Sequence, residues 1–236
     1  MRRAVGFQDF SDAEFGFMSE LKAEHRRVPA GADLFQQDDA PTHVFTAFSG
    51  WAYRYRLFGD GRRQILGVVL PGELVGVPGA AFGRHAYAVR AATEAEFCAL
   101  SLARLPALLR EQEGLSMRLL WLSSHEQRMV ERLAISLGRC TAEETLAAFS
   151  VDLRERLLRR GMTEEGGLSF AFPLGQAEVA DHLGMTIVHL NRVLRKLEQQ
   201  KILVVRRGRM EILDLDRLRK LSCLHEPADM VPQPLL

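Results

Sequence analysis

Between Thr186 and Arg195 the chain reads TIVHLNRVLR, a run whose side chains can read the edges of nucleic-acid bases. A guanidinium such as Arg192 can donate two parallel hydrogen bonds to guanine O6 and N7, a contact that carries about 1–3 kcal/mol of discrimination. His189 and Asn191 can bond to bases or phosphates, and His189 reads equally well as a packing contact without base readout. Thr186 suits the cap of a helix N-terminus beside a phosphate. Ile187 and Val188 offer only methyl groups, whose natural counterpart is the thymine methyl. Helical spacing puts Ile187, Val188, Asn191, Arg192 and Arg195 on or near one face and turns Leu190 and Val193 to the other.

Those residues need a scaffold, and the surrounding sequence supplies one. Counted from Gln176, a small residue falls at the fifth position (Ala180) and glycine at the ninth (Gly184). Apolar residues fall at Val179, Leu183, Met185, Leu190 and Val193. A helix-turn-helix needs this pattern: a small side chain where the helices cross, and a turn residue that accepts positive φ. Further on, Ile202–Val205 and Met210–Leu213 flank Arg206–Gly208, which reads as a β-hairpin with Arg206 and Arg207 at its tip, a wing. A short helix from Asp214 to Leu221 closes this part. From Arg192 to Arg209 there are seven Lys and Arg residues against Glu198 alone, although the whole chain carries a net charge of only +1. So localised a basic stripe points to a phosphate-contacting surface rather than to general polyanion binding.

Upstream, Leu34–Phe35, Val44–Phe48, Trp51–Leu57, Gln64–Leu70, Ala86–Ala91 and Ala95–Leu100 favour strands punctuated by Gly and Pro, including a stretch from Gly76 to Gly83 read as a turn. They suggest a small antiparallel barrel or jelly roll. A short helix around Ala103–Arg110 follows. Leu115–Leu137 then reads as one long helix whose stripe of Leu119, Leu122, Met129, Leu133 and Leu137 suits a partner helix, interrupted by Glu126. The same stripe could instead pack on the chain's own barrel. Gly138 is expected to break this helix at a hinge, and Thr141–Glu144 fits a capping box for a helix to about Arg160. Gly166–Phe172 reads as a small strand. The expected fold class is α+β: a β-roll sensor over 1–114, a dimerisation helix over 115–138, a winged helix-turn-helix over 139–222, and a tail over 223–236.

Cys98, Cys140 and Cys223 are far apart and have no metal-ligand spacing, which predicts a reducing cytoplasm and no disulfide framework. No apolar run is long enough for a signal peptide or a membrane span. No Ser/His/Asp, paired-carboxylate or Walker-type arrangement has informative spacing, so no enzyme is expected.

The order of these parts resembles the CRP/FNR family of bacterial transcription regulators. The motifs that carry the resemblance are PGELVG (Pro71–Gly76), DGRRQIL (Asp60–Leu66), the segment Val179–Gly184 and MTIVHLNR (Met185–Arg192). The VHLNR form is similar to an alphaproteobacterial subgroup. The resemblance implies a homodimer on palindromic double-stranded DNA, with RNA polymerase as a partner if the protein activates. Arg192 stands where the family commonly has a base-reading arginine, and Val188 replaces a common glutamate, which implies an altered half-site.

The resemblance also implies an effector pocket at Gly72, Glu73, Arg84, His85, Val130 and Glu131. The pair that would hold a cyclic phosphate appears as His85–Ala86, with Arg84 just before it. Val130 and Glu131 stand where hydroxyl residues would hold the base. Both changes argue against a cyclic nucleotide. The scattered cysteines argue against an iron–sulfur cluster, and no metal site or other cofactor is expected. The competing reading is a ligand-binding or protein-interaction module whose winged helix contacts protein.

Overall fold

Alternating apolar residues in the first half build two antiparallel sheets, described in a computed structural model for residues 22–224. One sheet has the order β1-β8-β3-β6, from Lys22–Val28 (β1), His43–Ser49 (β3), Leu74–Val75 (β6) and Ala95–Ser101 (β8). The other has the order β2-β7-β4-β5, from Asp33–Phe35 (β2), Ala52–Leu57 (β4), Arg63–Val69 (β5) and Ala88–Ala91 (β7). Their inner faces meet in a core that includes Phe35, Phe45, Val69, Val75, Tyr87, Val89 and Phe97. This is the expected β-roll. Strand β1, KAEHRRV, was not among the strand expectations, since it is charged and lies at a sheet edge.

The stretch read as a turn between Gly76 and Gly83 is instead a short helix, α1 (Val77–Phe82). Both flanking glycines are left-handed, and Pro78 sits in the first turn, where its missing N–H costs nothing. Helix α2 (Leu105–Glu111) follows β8. The long helix α3 runs from Glu113 to Arg139, so Gly138 lies within its last turn rather than ending it. The chain divides into two compact units inside α3, between Met129 and Val130.

In the second unit, α4 (Ala142–Arg159) starts from a complete capping box between Thr141 and Glu144. Leu146, Leu153 and Leu157 of α4 are fully buried, with Phe149 beside them. Strand β9 (Ser169–Ala171) precedes α5 (Gln176–His182) and α6 (Ile187–Gln199). Strands β10 (Leu203–Arg206) and β11 (Arg209–Ile212) form the hairpin, β9 pairs with β11, and α7 (Leu215–Leu221) ends the fold. The tail beyond Leu224 lies outside the described residues.

The expectation of no disulfide does not hold, because Cys140 is bonded to Cys223 across 83 positions of sequence. Spacing along the chain could not reveal this pair, since the winged-helix fold itself returns the chain to its own start. Cys98 is a buried thiol in β8, its Sγ 3.9 Å from His25 Nε2.

Gly184 has the predicted positive φ, +63°, and a Cβ built there would sit 3.0 Å from Leu137 Cδ2. Gly184→Ala should therefore lower stability by about 1–2 kcal/mol, the cost of a left-handed non-glycine residue, with the Leu137 contact adding to it. Urea titration would read this as a lower midpoint at unchanged slope, and an unaltered midpoint would refute it.

Candidate nucleic-acid interface

The helix that carries the candidate base-reading residues is α6. Thr186 caps it, its hydroxyl accepting from the His189 backbone N–H at 3.1 Å. Leu190, Val193 and Leu197 are buried beneath it, Leu190 and Leu197 completely. The opposite face presents Thr186, Ile187, Val188, His189, Arg192 and Arg195 to solvent. Val188 is 71% exposed and Ile187 46%, an unusual placement for β-branched residues at the start of a helix. Exposed apolar groups here have no role in the core.

Asn191 is half-buried, and its Nδ2 donates to Gln176 Oε1 at 3.0 Å. Sequence reasoning missed Gln176, which opens α5 and holds the Asn191 amide from the neighbouring helix. Their separation of fifteen residues carries no periodic signal, and only the folded turn brings them together.

The wing turns through Arg207 and Gly208, with φ of 51° and 71°. Two successive positive φ values make the tight hairpin turn whose twist matches its strands. Arg206 pairs with Glu198, Lys196 with Glu143 at 2.6 Å, and Arg209 with Glu164. No carboxylate among the described residues pairs with Arg192, Arg195 or Arg207. Cations left for an external anion therefore include those on the exposed face of α6 and at the wing tip.

The residues expected to form an effector pocket have the following local surroundings. Gly72 (φ 88°) and Glu73 form the turn between β5 and β6, their backbones bonded to Ala47. The Glu73 carboxylate accepts from the Leu70 N–H at 3.2 Å. Arg84 is exposed, 3.8 Å from Asp38. His85 is buried and stacks on Phe35 with ring centroids 3.9 Å apart, against the Cβ-less backbone of Gly79. Val130 and Glu131 are exposed on α3. Of the helix stripe, Leu119, Leu122, Met129 and Leu133 are half-buried, and Leu137 is exposed beside Gly184.

The interior of the roll also holds an ion pair that sequence reasoning missed. Arg54 of β4 is 5% exposed and pairs with Glu126 of α3. A register shift where Arg54 faces Gly67, and the bare Gly67 backbone, make room for the guanidinium. Its carbon lies 5.9 Å from the centre of the Tyr87 ring, within cation–π reach. The Gly76 N–H donates to Tyr87 Oη at 3.2 Å, and the phenol donates to Glu126 at 3.4 Å. Burial, then the Glu126 charge, pushes the Tyr87 phenol up to about 12, so it remains a donor at ordinary pH. Arg54 Nε has no hydrogen-bond partner. Glu126, which interrupts the apolar stripe, is thus the carboxylate that neutralises the roll's buried cation.

Comparison with known proteins agrees with both units. The pattern of a cyclic nucleotide-binding domain matches residues 25–112, and that of a Crp-like helix-turn-helix domain matches residues 144–221. The transcriptional activatory protein AadR of Rhodopseudomonas palustris is 32% identical over 205 residues, covering 86% of this chain and 83% of that protein. The chain belongs to the CRP/FNR family of transcription regulators. The nitrogen fixation regulation protein FixK of Bradyrhizobium diazoefficiens is 30% identical over 208 residues, 87% of this chain and 85% of that one. The fold is also that of FixK2 from Bradyrhizobium japonicum, with a TM-score of 0.75 at 24% identity over 84% of this chain and 96% of that one. Like its CRP/FNR relatives, the protein is a DNA-binding transcription regulator with a cyclic-nucleotide-binding-like roll. No described helix is long and apolar enough to cross a membrane.

Two outcomes follow from the roll. Glu126→Gln should cost about 2–4 kcal/mol, because it leaves a buried guanidinium uncompensated. The double change Arg54→Met with Glu126→Leu should recover most of that loss, and a double variant no more stable than the single one would refute the role. Burial lowers the His85 pKa from its ordinary 6.5, against a smaller opposing effect of Asp39. The unfolded chain then takes the proton more readily, so this contribution to stability is present at neutral pH and is lost as pH falls through 6.5 and below. His85→Phe should lose less melting temperature than the wild type between neutral and mildly acid pH, and identical slopes would refute this.

Proposed function

We propose that the protein acts as a homodimer in the cytoplasm and binds an imperfect palindrome, with α6 of each protomer in a major groove and the wing on the flanking phosphates. The observation that carries this reading is the composition of the exposed surface of α6: Ile187, Val188 and Arg192 are all open to solvent, with the Arg207 wing tip in the same unit. In this arrangement Arg192 donates to guanine, and Val188 meets a thymine methyl where a glutamate would accept from cytosine. Arg195 and Arg207 hold phosphates, and Thr186 and His189 lie at the helix N-terminus, where backbone N–H groups favour a phosphate oxygen. Arg206, tied to Glu198, contributes through the shape of the wing as well as its charge. Two-fold pairing would place half-site centres one helical turn apart, roughly 34–36 Å. The exposed Val130 and Leu137 of α3 offer apolar surface for a second copy, with Leu119, Leu122, Met129 and Leu133 along the same helix face.

The roll residues do not suit a cyclic nucleotide. The ring of His85 is stacked on Phe35, Arg84 faces Asp38, and the buried cation is already neutralised by Glu126. Our reading is therefore a regulator that does not respond to cyclic nucleotides, uses no metal or iron–sulfur cofactor and performs no catalysis. As an activator, like AadR, it would contact RNA polymerase at its promoters.

The test is selection of duplexes from a randomised pool, followed by gel shifts in rising salt. A selected palindrome with two half-sites is the expected result, and enrichment of no sequence would overturn the reading. Arg192→Ala should lose about 1–3 kcal/mol of preference at one position of each half-site. Arg207→Ala should weaken all sequences alike and shallow the salt dependence. Equal effects of the two substitutions on preference would refute the assigned roles.

A further inference from the structure

Cys140 lies in the short gap between Arg139, the last residue of α3, and Ala142, the first of α4. Cys223 lies just past Leu221, the end of α7. The bond between them closes a loop that contains every element of the winged-helix fold from α4 to α7. It is reinforced nearby. Arg132 Nη2 donates to the Leu224 carbonyl at 3.3 Å, two helical turns before Cys140. The segment after α7 is thus attached to the end of α3 at two points, one charged and one covalent. A third tie, from Thr145 Oγ1 to the Ser136 carbonyl at 3.3 Å, holds the same turn of α3 to α4. Cys223 is exposed and Cys140 half-buried, so the sulfurs can be reached from solvent, whereas Cys98 is buried in the roll.

We propose that Cys140 and Cys223 are a reversible thiol–disulfide pair, oxidised by peroxides and reduced by dithiols, whose state sets how firmly the end of α3 is held to the winged-helix fold. In oxidation, one thiol ionises and its thiolate attacks an oxygen of hydrogen peroxide, breaking the O–O bond to give a sulfenic acid and a hydroxide, which takes up the proton the thiol released and leaves as water. The second thiol likewise ionises and its thiolate displaces the sulfenic oxygen as hydroxide, which that second proton converts to water, forming the disulfide. Two electrons pass from the sulfurs to the peroxide. In reduction, an external dithiol opens the bond through a mixed disulfide, leaving two cysteine thiols and an oxidised dithiol. Disulfides in reducing compartments are usually transient and redox-sensing, which suits a bond at a surface junction rather than in a core. With the bond closed, α3 and α7 meet through a covalent link. With it open, the segments are held there by the Arg132 and Thr145 hydrogen bonds, which can break and re-form, so the turn between Ser136 and Thr145 opens more often.

The DNA arm of the test rests on the DNA-binding reading above, while the chemical arm does not. Full-length protein is treated with hydrogen peroxide or dithiothreitol and digested under non-reducing conditions. The Cys140–Cys223 peptide should form with peroxide and vanish with dithiothreitol. Amide exchange around Thr141–Thr145 and Ser222–Leu224 should be slower in the oxidised protein, which should also melt higher, since closing a long loop restricts the unfolded chain. Cys140→Ser and Cys223→Ser should behave as the reduced protein under both treatments, and Cys98→Ser should respond as the wild type. Absence of the linked peptide, or a response that survives Cys140→Ser, would overturn the proposal. On a palindromic duplex selected from a random pool by reduced or by oxidised wild-type protein, the two states should differ in affinity by about fivefold or more. Equal affinities would overturn the regulatory part. Enrichment of no duplex by either state would instead overturn the DNA-binding reading, leaving the peptide and exchange results to decide the thiol pair.

Discussion

A guanidinium cannot be left alone inside a β-roll, and Arg54 dictates the arrangement around it. Removing such a charge from water costs several kcal/mol even after the protein relaxes, so a carboxylate must follow it inside. It comes from α3, as Glu126, with the Tyr87 phenol as a second neutral donor to the same carboxylate. The space is made by a break in strand register and a missing side chain at Gly67. Each of these features looks minor alone. Together they fix which face of α3 turns to the roll, because residues three, four and seven positions from Glu126 share its face.

That face contains Leu119, Leu122, Met129 and Leu133, the residues whose spacing suggests a partner helix. A stripe interrupted by a charge is a poor coiled-coil seam, and the interruption proves to be the most informative residue in it. Near Glu126 the face serves the roll, and further along α3 Val130 and Leu137 remain exposed. Packing on the chain's own barrel thus holds near Glu126, and the proposed second copy has the exposed Val130 and Leu137 left to meet.

The winged helix was the most legible part of the chain, because its constraints are local. A glycine at the turn, a small residue at the crossing and a 3.6-residue apolar period all lie within Gln176–Gln200, and the structure places Gly184, Ala180 and Leu190 accordingly. The roll was legible as strands but not as a site. Arg54 and Glu126 are seventy-two residues apart, and Gln176 and Asn191 fifteen, with no period to relate them. The disulfide was misread for the same reason. Its partners meet only because α7 returns to the end of α3. Strand β1 escaped notice because an edge strand can be charged throughout, and α1 because it is held between two glycines that also signal turns.

The wing has a consequence for how this surface can vary. Its strands pair Leu203 with Ile212 and Val205 with Met210, and Met210 and Leu203 are fully buried. A single inserted residue in either strand would turn that whole set to the opposite side of the sheet. The two-residue turn at Arg207 and Gly208 leaves no slack to absorb such a change. The wing therefore acts as a ruler of fixed length, and its charged tip can change in identity but not in reach. If α6 reads DNA as proposed, divergence of target sites should then accumulate on its exposed face, while the wing's span stays constant across homologues that keep this register.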